Sequence, residues 1–436
     1  MNPEEVQVRL SRVRRASPYL IDAGPRTIAQ MLSEAGALLK SARSPLGARA
    51  RKKLAQNTNL CTPLVDWALR HCLPDYPEIE RALLRQDSPE HIQSCATPNR
   101  PAAVVLAGNV FAAAVRAVFY PLLAMTPVVV KTSSRDPVFP ELIKEALSMC
   151  SAAFGDCVEV LHFAGGNLPA EQALFDGVGP IIAYGTDKTL TNIRERLRDP
   201  NRLIEHGHGV GAAYISSTAL TSEEQAISFG MKLAEDIVRY DQRGCLSPQV
   251  VWVEERGRIS PERFAELLSE RCLTVLDTRY PRGILSTELL AQSHQWCAVA
   301  LARGALHRTS SHAVAFEGQA DLRFGPGYRH ILVLACHSQE QALQQMETLG
   351  SHLKCVGIGG MSDSASKAHP LSKERVSGAR RTNHYENKND WIRSIASRPR
   401  ICALGEMQRP SFDVDVDGHS PWKGLAPQSV YLDVAS

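Results

Sequence analysis

From about residue 100 the chain alternates short apolar runs with segments whose apolar positions recur every three or four residues. The run in "PNRPAAVVLAGNV" stops at Gly108-Asn109, an amphipathic stretch covers Phe111 to Met125, and "PVVVK" follows. Strand, turn, helix and strand in that order make the βαβ unit of a parallel sheet. The alternation continues through "FPELIKEALSMC", "VEVLHF", "LPAEQALFDG", "GPIIAYG", "DKTLTNIRERL" and "RLIEHG", which predicts a doubly wound parallel sheet. Ahead of it, "TIAQMLSEAGALLKSA" and "TPLVDWALRHCL" carry only the helical period, broken by Pro and Gly, and predict a helical N-terminal segment. Beyond it, "TSEE" offers a Thr-x-x-Glu capping box at Thr221 or Ser222 for a helix that runs to about Asp241. Strand patterns in "QVVWVE" and "HILVLA", mixed with helical ones in "PERFAELLSERC" and "QEQALQQMETL", then predict a second α/β domain. The polar stretch "SDSASKAHPLSKERVSGARRTNHYENKND" has too few apolar residues to build a core and is expected to form a mobile loop.

Composition narrows the partners. At 436 residues and 44% hydrophobic content the chain can bury two or three cores without crosslinks. A net charge of +3 with no dense Lys/Arg run among aromatics argues against nucleic acid as a partner. The opening "MNPEEVQVRLSRVRRASPYLIDAG" has no apolar signal region, and no run of about 18 apolar residues occurs, so a cytoplasmic protein without a membrane span is expected. The 11 cysteines show no CxxC and no repeated spacing, which speaks against a disulfide framework or a zinc site. Most are expected to be buried, reduced thiols.

Ligands of open parallel sheets bind beyond the C-terminal ends of strands. Asn109, Lys131, the pair Gly185 and Thr186, and Glu205 with His206 all fall at such ends and mark one edge of the predicted sheet. Each has an ordinary alternative, because Gly, Asn and Thr populate turns for backbone reasons and a lone lysine is usually solvated. Neither GxGxxG after a strand nor a Walker-type phosphate loop is present, and "HFAGGN" is a weak glycine-rich match. The two histidines of "HGHG" lack a third convergent ligand, so no metal site is expected. Cys245, in "VRYDQRGCLSPQVVWVE", sits where a helical pattern stops and a strand pattern begins. A nucleophilic thiolate needs exposure, a flexible neighbour and groups that lower its pKa; Gly244 and Arg243 can supply the last two. Core packing is the commoner fate of a free cysteine. The residues by themselves reach a two-domain α/β protein with a thiol site at an interdomain hinge.

Several ordered blocks carry a resemblance. "LAGNVFAAAVRAVFYPLLAMTPVVVKTSSRDPVF", "AYGTDKTLTNIRERL", "RLIEHGHGVGAAYI", "DIVRYDQRGCLSPQVVWVE" and "RICALGEMQRPSFDVDVDG" are similar, in the same order, to blocks of the aldehyde dehydrogenase superfamily. They resemble more closely its LuxC-like branch of acyl-CoA and acyl-protein thioester reductases. The resemblance implies an aldehyde-dehydrogenase-like α/β fold: a helical segment 1–100, a dinucleotide-binding domain 101–215, a catalytic cysteine domain 216–400 and a C-terminal segment 401–436. It implies that Cys245 attacks a thioester carbonyl, that Asn109 and the Cys245 backbone N–H form the oxyanion hole, and that a hydride from a nicotinamide reduces the acyl-enzyme to an aldehyde. It also implies dinucleotide binding without the GxGxxG fingerprint, an acyl-CoA or acyl-carrier substrate, an acyl-activating or acyl-transferring protein partner, and assembly as a homo-oligomer.

Three departures shape the expectation. NAD-preferring relatives often carry Glu three residues after the strand-ending lysine; here Ser134 and then Arg135 follow Lys131. Losing an anion and gaining a cation favours a 2′-phosphate, so NADPH is the expected cofactor, held by Lys131, Ser134, Arg135, Gly185 and Thr186. Glu205 is in register with the general base of hydrolytic relatives, and its ordinary role is an ion pair with an Arg such as Arg202 or Arg243. Where relatives hold the nicotinamide ribose through a Glu before a Phe, this chain reads Leu322-Arg323-Phe324. The first expectation is an NADPH-dependent acyl-thioester reductase. The alternatives are an NAD(P)-dependent aldehyde dehydrogenase forming the acid, a non-catalytic docking subunit of an acyl-transfer complex, and a cysteine acyltransferase that needs no dinucleotide.

Overall fold

The computed structural model describes residues 1–85, 100–360, 395, 398–415, 418 and 420–425; the polar stretch expected to be a mobile loop lies outside them. The chain divides into two compact units, Met1–His208 with Arg409–Ser436, and Gly209–Gln408.

The first unit holds a five-stranded sheet in the order β3-β2-β1-β4-β5, with β1 Ala102–Val105, β2 Val128–Lys131, β3 Val158–Leu161, β4 Ile181–Tyr184 and β5 Leu203–His206. Every pairing is parallel. The chain winds outward from β1 to β3 and returns to place β4 on the other side of β1, so the strand order reverses between β1 and β4. Strands β1, β2 and β3 are buried throughout, as expected for a sheet covered on both faces. The N-terminal helices belong to this unit. Helix Pro3–Lys40 starts on an Asn2/Glu5 capping box and breaks at Gly24, whose φ of 71° precedes Pro25. Its Val6, Leu10 and Val13 enter the same core as Val129, Leu161 and Leu174. Each such side chain stabilises by roughly 1.5–3 kcal/mol when fully buried. The returning C-terminal segment stacks Phe412 on Tyr120 with ring centroids 4.7 Å apart, and the Trp422 indole donates to the Ala82 carbonyl at 3.1 Å.

The second unit holds a seven-stranded sheet in the order β12-β11-β6-β7-β10-β9-β8. Its strands are β6 Val210–Ile215, β7 Pro248–Glu254, β8 Ala305–Arg308, β9 Ala313–Phe316, β10 His330–Cys336, β11 Leu353–Gly359 and β12 Arg400–Ala403. All pairs are parallel except β8 with β9. The helix before Cys245 spans Glu223–Val238, and its cap is Ser222, whose Oγ accepts from the Gln225 N–H at 3.3 Å. Thr221 is not the cap; its hydroxyl donates to Gln225 Oε1 at 2.6 Å. The helix stops at Val238, short of Asp241, because Arg239 is extended and Tyr240, Asp241 and Gln242 then turn left-handed. No helix among the described residues is long and apolar enough to cross a membrane.

Candidate functional site

In the first unit the predicted strand-end residues lie along the C-terminal edge of the sheet, which is what parallel register dictates. Gly108 has φ +75°, and a Cβ there would stand 2.7 Å from Ser133 Oγ, so both conformation and space require glycine. The turn it makes leaves Asn109 exposed. Arg135 donates through Nη1 to Asn109 Oδ1 at 3.2 Å, which assigns the amide orientation and leaves Nδ2 as its donor. Ser134 and Arg135 are both exposed.

Lys131 is 7% exposed and ends β2. Desolvation holds its ammonium below the ordinary lysine range, partly offset by Glu171. Its Nζ lies 5.5 Å from the Phe163 ring centroid. Thr186 caps helix Asp187–Glu195 by accepting from the Thr189 N–H at 3.3 Å, and a Cβ on Gly185 would press within 3.1 Å of Thr189. Glu205 pairs with Arg194 rather than with Arg202 or Arg243. Arg202 instead donates to the Val178 carbonyl at 2.7 Å, and Arg243 Nε to the Tyr240 carbonyl at 3.0 Å. The second Glu205 oxygen, Oε1, is buried with no hydrogen-bond partner among the described residues. Sequence reasoning missed His162, which meets Thr132 Oγ1 at 3.0 Å and Glu141 at 2.7 Å beside Lys131; its signal was the polar residue directly after β3.

In the second unit Cys245 alone is exposed among the described cysteines. Burial pushes Cys72, Cys157, Cys272 and Cys336 up to about 12, which keeps them protonated near neutrality. The approach to Cys245 is unusual. Tyr240, Asp241 and Gln242 have φ of 53°, 51° and 59°, three consecutive left-handed residues without a glycine. Each costs roughly 1–2 kcal/mol, so the surroundings must hold them. A second left-handed run, Gly327, Tyr328 and Arg329 at φ 76°, 50° and 68°, faces the first.

The two runs are locked together by buried groups. Arg329, with a side chain 0% exposed, donates to Asp241 Oδ1 through Nη2 at 2.5 Å and Nε at 3.1 Å. Asp241 Oδ2 accepts from the Gly283 N–H at 3.1 Å. Gln242 donates to the Pro248 and His330 carbonyls at 2.7 and 2.8 Å, while its Oε1 accepts from the His330 N–H at 2.8 Å. Arg329 Nη1 also reaches Asp277 at 2.5 Å, and Asp277 meets His312 at 2.6 Å. Burial raises the Asp277 carboxyl, but His312 and Arg329 outweigh it and hold the group below its ordinary value. Removing one partner of such a buried pair costs about 3–5 kcal/mol, because a charge is left unpaired.

Two other sequence features resolve. The Arg323 side chain is engaged by Glu317, whose side chain is 0% exposed and also takes Arg303 Nε at 2.6 Å. His206 of "HGHG" stacks on Tyr184 with centroids 4.4 Å apart, and no group of three metal-binding side chains occurs among the described residues.

Comparison with known proteins places this arrangement. The family model for acyl-CoA reductase (LuxC) matches residues 58–381, most of the chain, and the chain belongs to that family. No curated protein sequence matches it. Among solved structures, PnpE from Pseudomonas sp. WBC-3 is similar with a TM-score of 0.67 at 16% identity, covering 97% of this chain and 86% of that one. Aldehyde dehydrogenase 21 from Physcomitrella patens, solved with succinate, gives 0.65 at 13% identity, covering 95% and 84%. A salicylaldehyde dehydrogenase from Pseudomonas putida G7 gives 0.63 at 13%, covering 83% and 78%. At such identities these structures show the fold, which is that of the aldehyde dehydrogenases, and the family makes the chain an oxidoreductase of acyl or aldehyde groups.

Proposed function

Starting from that family, we propose that the protein reduces a fatty acyl thioester, carried on CoA, a carrier protein or an acyl-enzyme, to an aldehyde through a thioester on Cys245, with NADPH as reductant. The observation that carries the reading is the single exposed thiol among the described cysteines, presented by a turn whose backbone is held in an unfavourable conformation. The C-terminal edge of the first sheet fits a dinucleotide phosphate in its chemistry: a partly desolvated ammonium at Lys131, an exposed guanidinium at Arg135, and no acid at position 134. NADPH bound there supplies a hydride.

The chain's own residues do the rest. The Cys245 thiolate attacks the thioester carbonyl carbon, the carbon–sulfur bond to the carrier breaks, and the carrier leaves as a thiolate that takes its proton from solvent. The Cys245 N–H donates to the oxygen while it bears negative charge. Once the acyl carbon is reduced it stays bonded to Sγ until that C–S bond breaks, which releases the aldehyde and restores the thiolate. Glu205, engaged through one oxygen by Arg194, is assigned no part in these steps.

The test is incubation with NADPH or NADH and a panel of acyl-CoA and acyl-carrier thioesters, with products identified by mass spectrometry. Aldehyde formed with consumption of NADPH supports the reading. Acid as the main product would make the protein an aldehyde dehydrogenase. Acyl transfer without NADPH consumption would make it an acyltransferase, and no turnover of any thioester would favour a docking subunit.

A further inference from the structure

The two left-handed runs, whose contacting residues Asp241 and Arg329 stand 88 positions apart in sequence, are joined at a fully buried guanidinium. Arg329 is itself left-handed at φ 68°, so its side chain and its backbone are both committed to the junction. Its planar fork uses Nε and Nη2 on a single Asp241 oxygen and Nη1 on Asp277, a geometry a lysine cannot reproduce. Asp241 lies between Tyr240 and Gln242, the centre of the run that leads to Cys245. After Gln242 the chain is pinned again by the Ser247 N–H, which donates to the Gly244 carbonyl at 3.0 Å, and by the close approach of Gly211, where a Cβ would stand 2.4 Å from the Leu246 carbonyl oxygen. Between these two anchors Arg243 returns its N–H and its Nε to the Tyr240 carbonyl at 3.2 and 3.0 Å, so a change at Asp241 is carried toward Cys245.

We propose that Arg329 is a positioning residue for Cys245: through Asp241 it holds the left-handed turn in the one geometry that aims the thiol. The inference rests on Cys245 being the nucleophile. It adds that the aim of the thiol depends on a buried ion pair that touches neither substrate nor cofactor. A packing role alone would need only the volume and the neutralised charge of the pair. A positioning role needs the fork.

Four proteins separate these roles: the parent, Arg329→Lys, Arg329→Met, and the double variant Arg329→Met with Asp241→Asn, which removes both charges and so avoids an unpaired buried ion. Circular dichroism identifies the variants that fold. Hydrogen exchange read by mass spectrometry then reports the turn without reference to any activity. In the folded variants, the double variant included, exchange in the segment 239–247 should quicken at least tenfold while the helix Glu223–Val238 keeps its protection. In parallel, transfer of an acyl group from acyl-CoA to Cys245 is followed by mass in the absence of NADPH. The rate at saturation should fall at least tenfold, with the half-saturating acyl-CoA concentration within threefold of the parent. A double variant that matches the parent in both exchange and acyl transfer would overturn the inference, as would Arg329→Lys behaving like the parent. If the parent itself takes no acyl group, the proposed function fails; the exchange measurement still decides whether Arg329 holds the turn.

Discussion

His330 begins β10 beside the junction and gives the stability of the second unit a calculable pH dependence. Its Nδ1 lies 2.8 Å from the Gly327 carbonyl oxygen, so Nδ1 donates, and its Nε2 lies 2.7 Å from Ser293 Oγ, so Nε2 accepts. Those partners suit the neutral ring. Desolvation lowers its pKa to about 4 from 6.5; the Gly327 and Tyr328 carbonyls oppose the shift, and the nearby cation of Arg282 and His312 reinforce it. The group is 2% exposed, so solvent screening is slight. A folded pKa below the unfolded one means that the unfolded chain binds the proton first on acidification. The contribution is therefore complete above about pH 6.5 and declines as the pH falls toward about 4, by roughly 2.5 kcal/mol at about pH 4.5. Carboxylates titrate in the same window, so the parent alone is not informative. The measurement is urea denaturation of the parent and of His330→Asn, whose amide can still donate to Gly327, at several pH values between 7 and 4.5. The stability difference between the two proteins should shrink by about 2–3 kcal/mol over that range. Parallel pH profiles would refute the reasoning, because they would mean that His330 is as easily protonated in the folded protein as in the unfolded one.

Three further outcomes are expected. Cys245→Ala abolishes aldehyde formation with the fold retained, since the residue is exposed and its loss leaves no cavity; a labelled acyl-enzyme in that variant, sought by mass spectrometry, would move the nucleophile elsewhere. Arg135→Glu weakens NADPH binding at least tenfold more than NADH binding in a calorimetric or fluorescence titration, because a guanidinium recognises the 2′-phosphate that only NADPH carries; equal losses would remove it from phosphate recognition. Glu205→Gln keeps shape and removes basicity, so thioester reduction measured by NADPH consumption falls less than tenfold; a parent that releases mainly acid, and a variant that stops doing so, would reverse the direction assigned to the chemistry.

Much of the fold was legible because a parallel sheet advertises itself. Its strands β1, β2 and β3 are buried on both faces and read as apolar runs, and each return to the next strand needs a helix with its own period. The strand-end residues followed from the same logic, since parallel register puts Asn109, Lys131, Thr186 and Glu205 at one edge whatever their roles. What an apolar run does not say is which sheet it joins. "GAAYISS" looks like its predecessors, yet β6 pairs with β7 and β11. Nor does local pattern foretell a return over long sequence distance, such as Phe412 stacking on Tyr120 or Trp422 reaching Ala82.

The site was legible as residue types and not as geometry. Cys245 could be named from its place between a helical and a strand pattern, but its exposure is a property of the turn, and the turn is made by interactions that no window of sequence contains. Tyr240, Asp241 and Gln242 have no left-handed signature; a reader of "RYDQRG" would carry the helix through them, as the capping pattern from Ser222 invites. They turn because Asp241 finds Arg329 and Gln242 finds His330, each 88 positions further along the chain, and those contacts outweigh the local preference of three residues at once. Glu205 illustrates the same limit on a smaller scale: an acidic residue at a strand end predicts a cation nearby, but only the packing of helix Asp187–Glu195 on the sheet selects Arg194 over its neighbours. Where local rules and the folded backbone disagree most, at the turn before Cys245, the sequence also concentrates its reactive chemistry, which is the relation expected when strain is retained for a purpose.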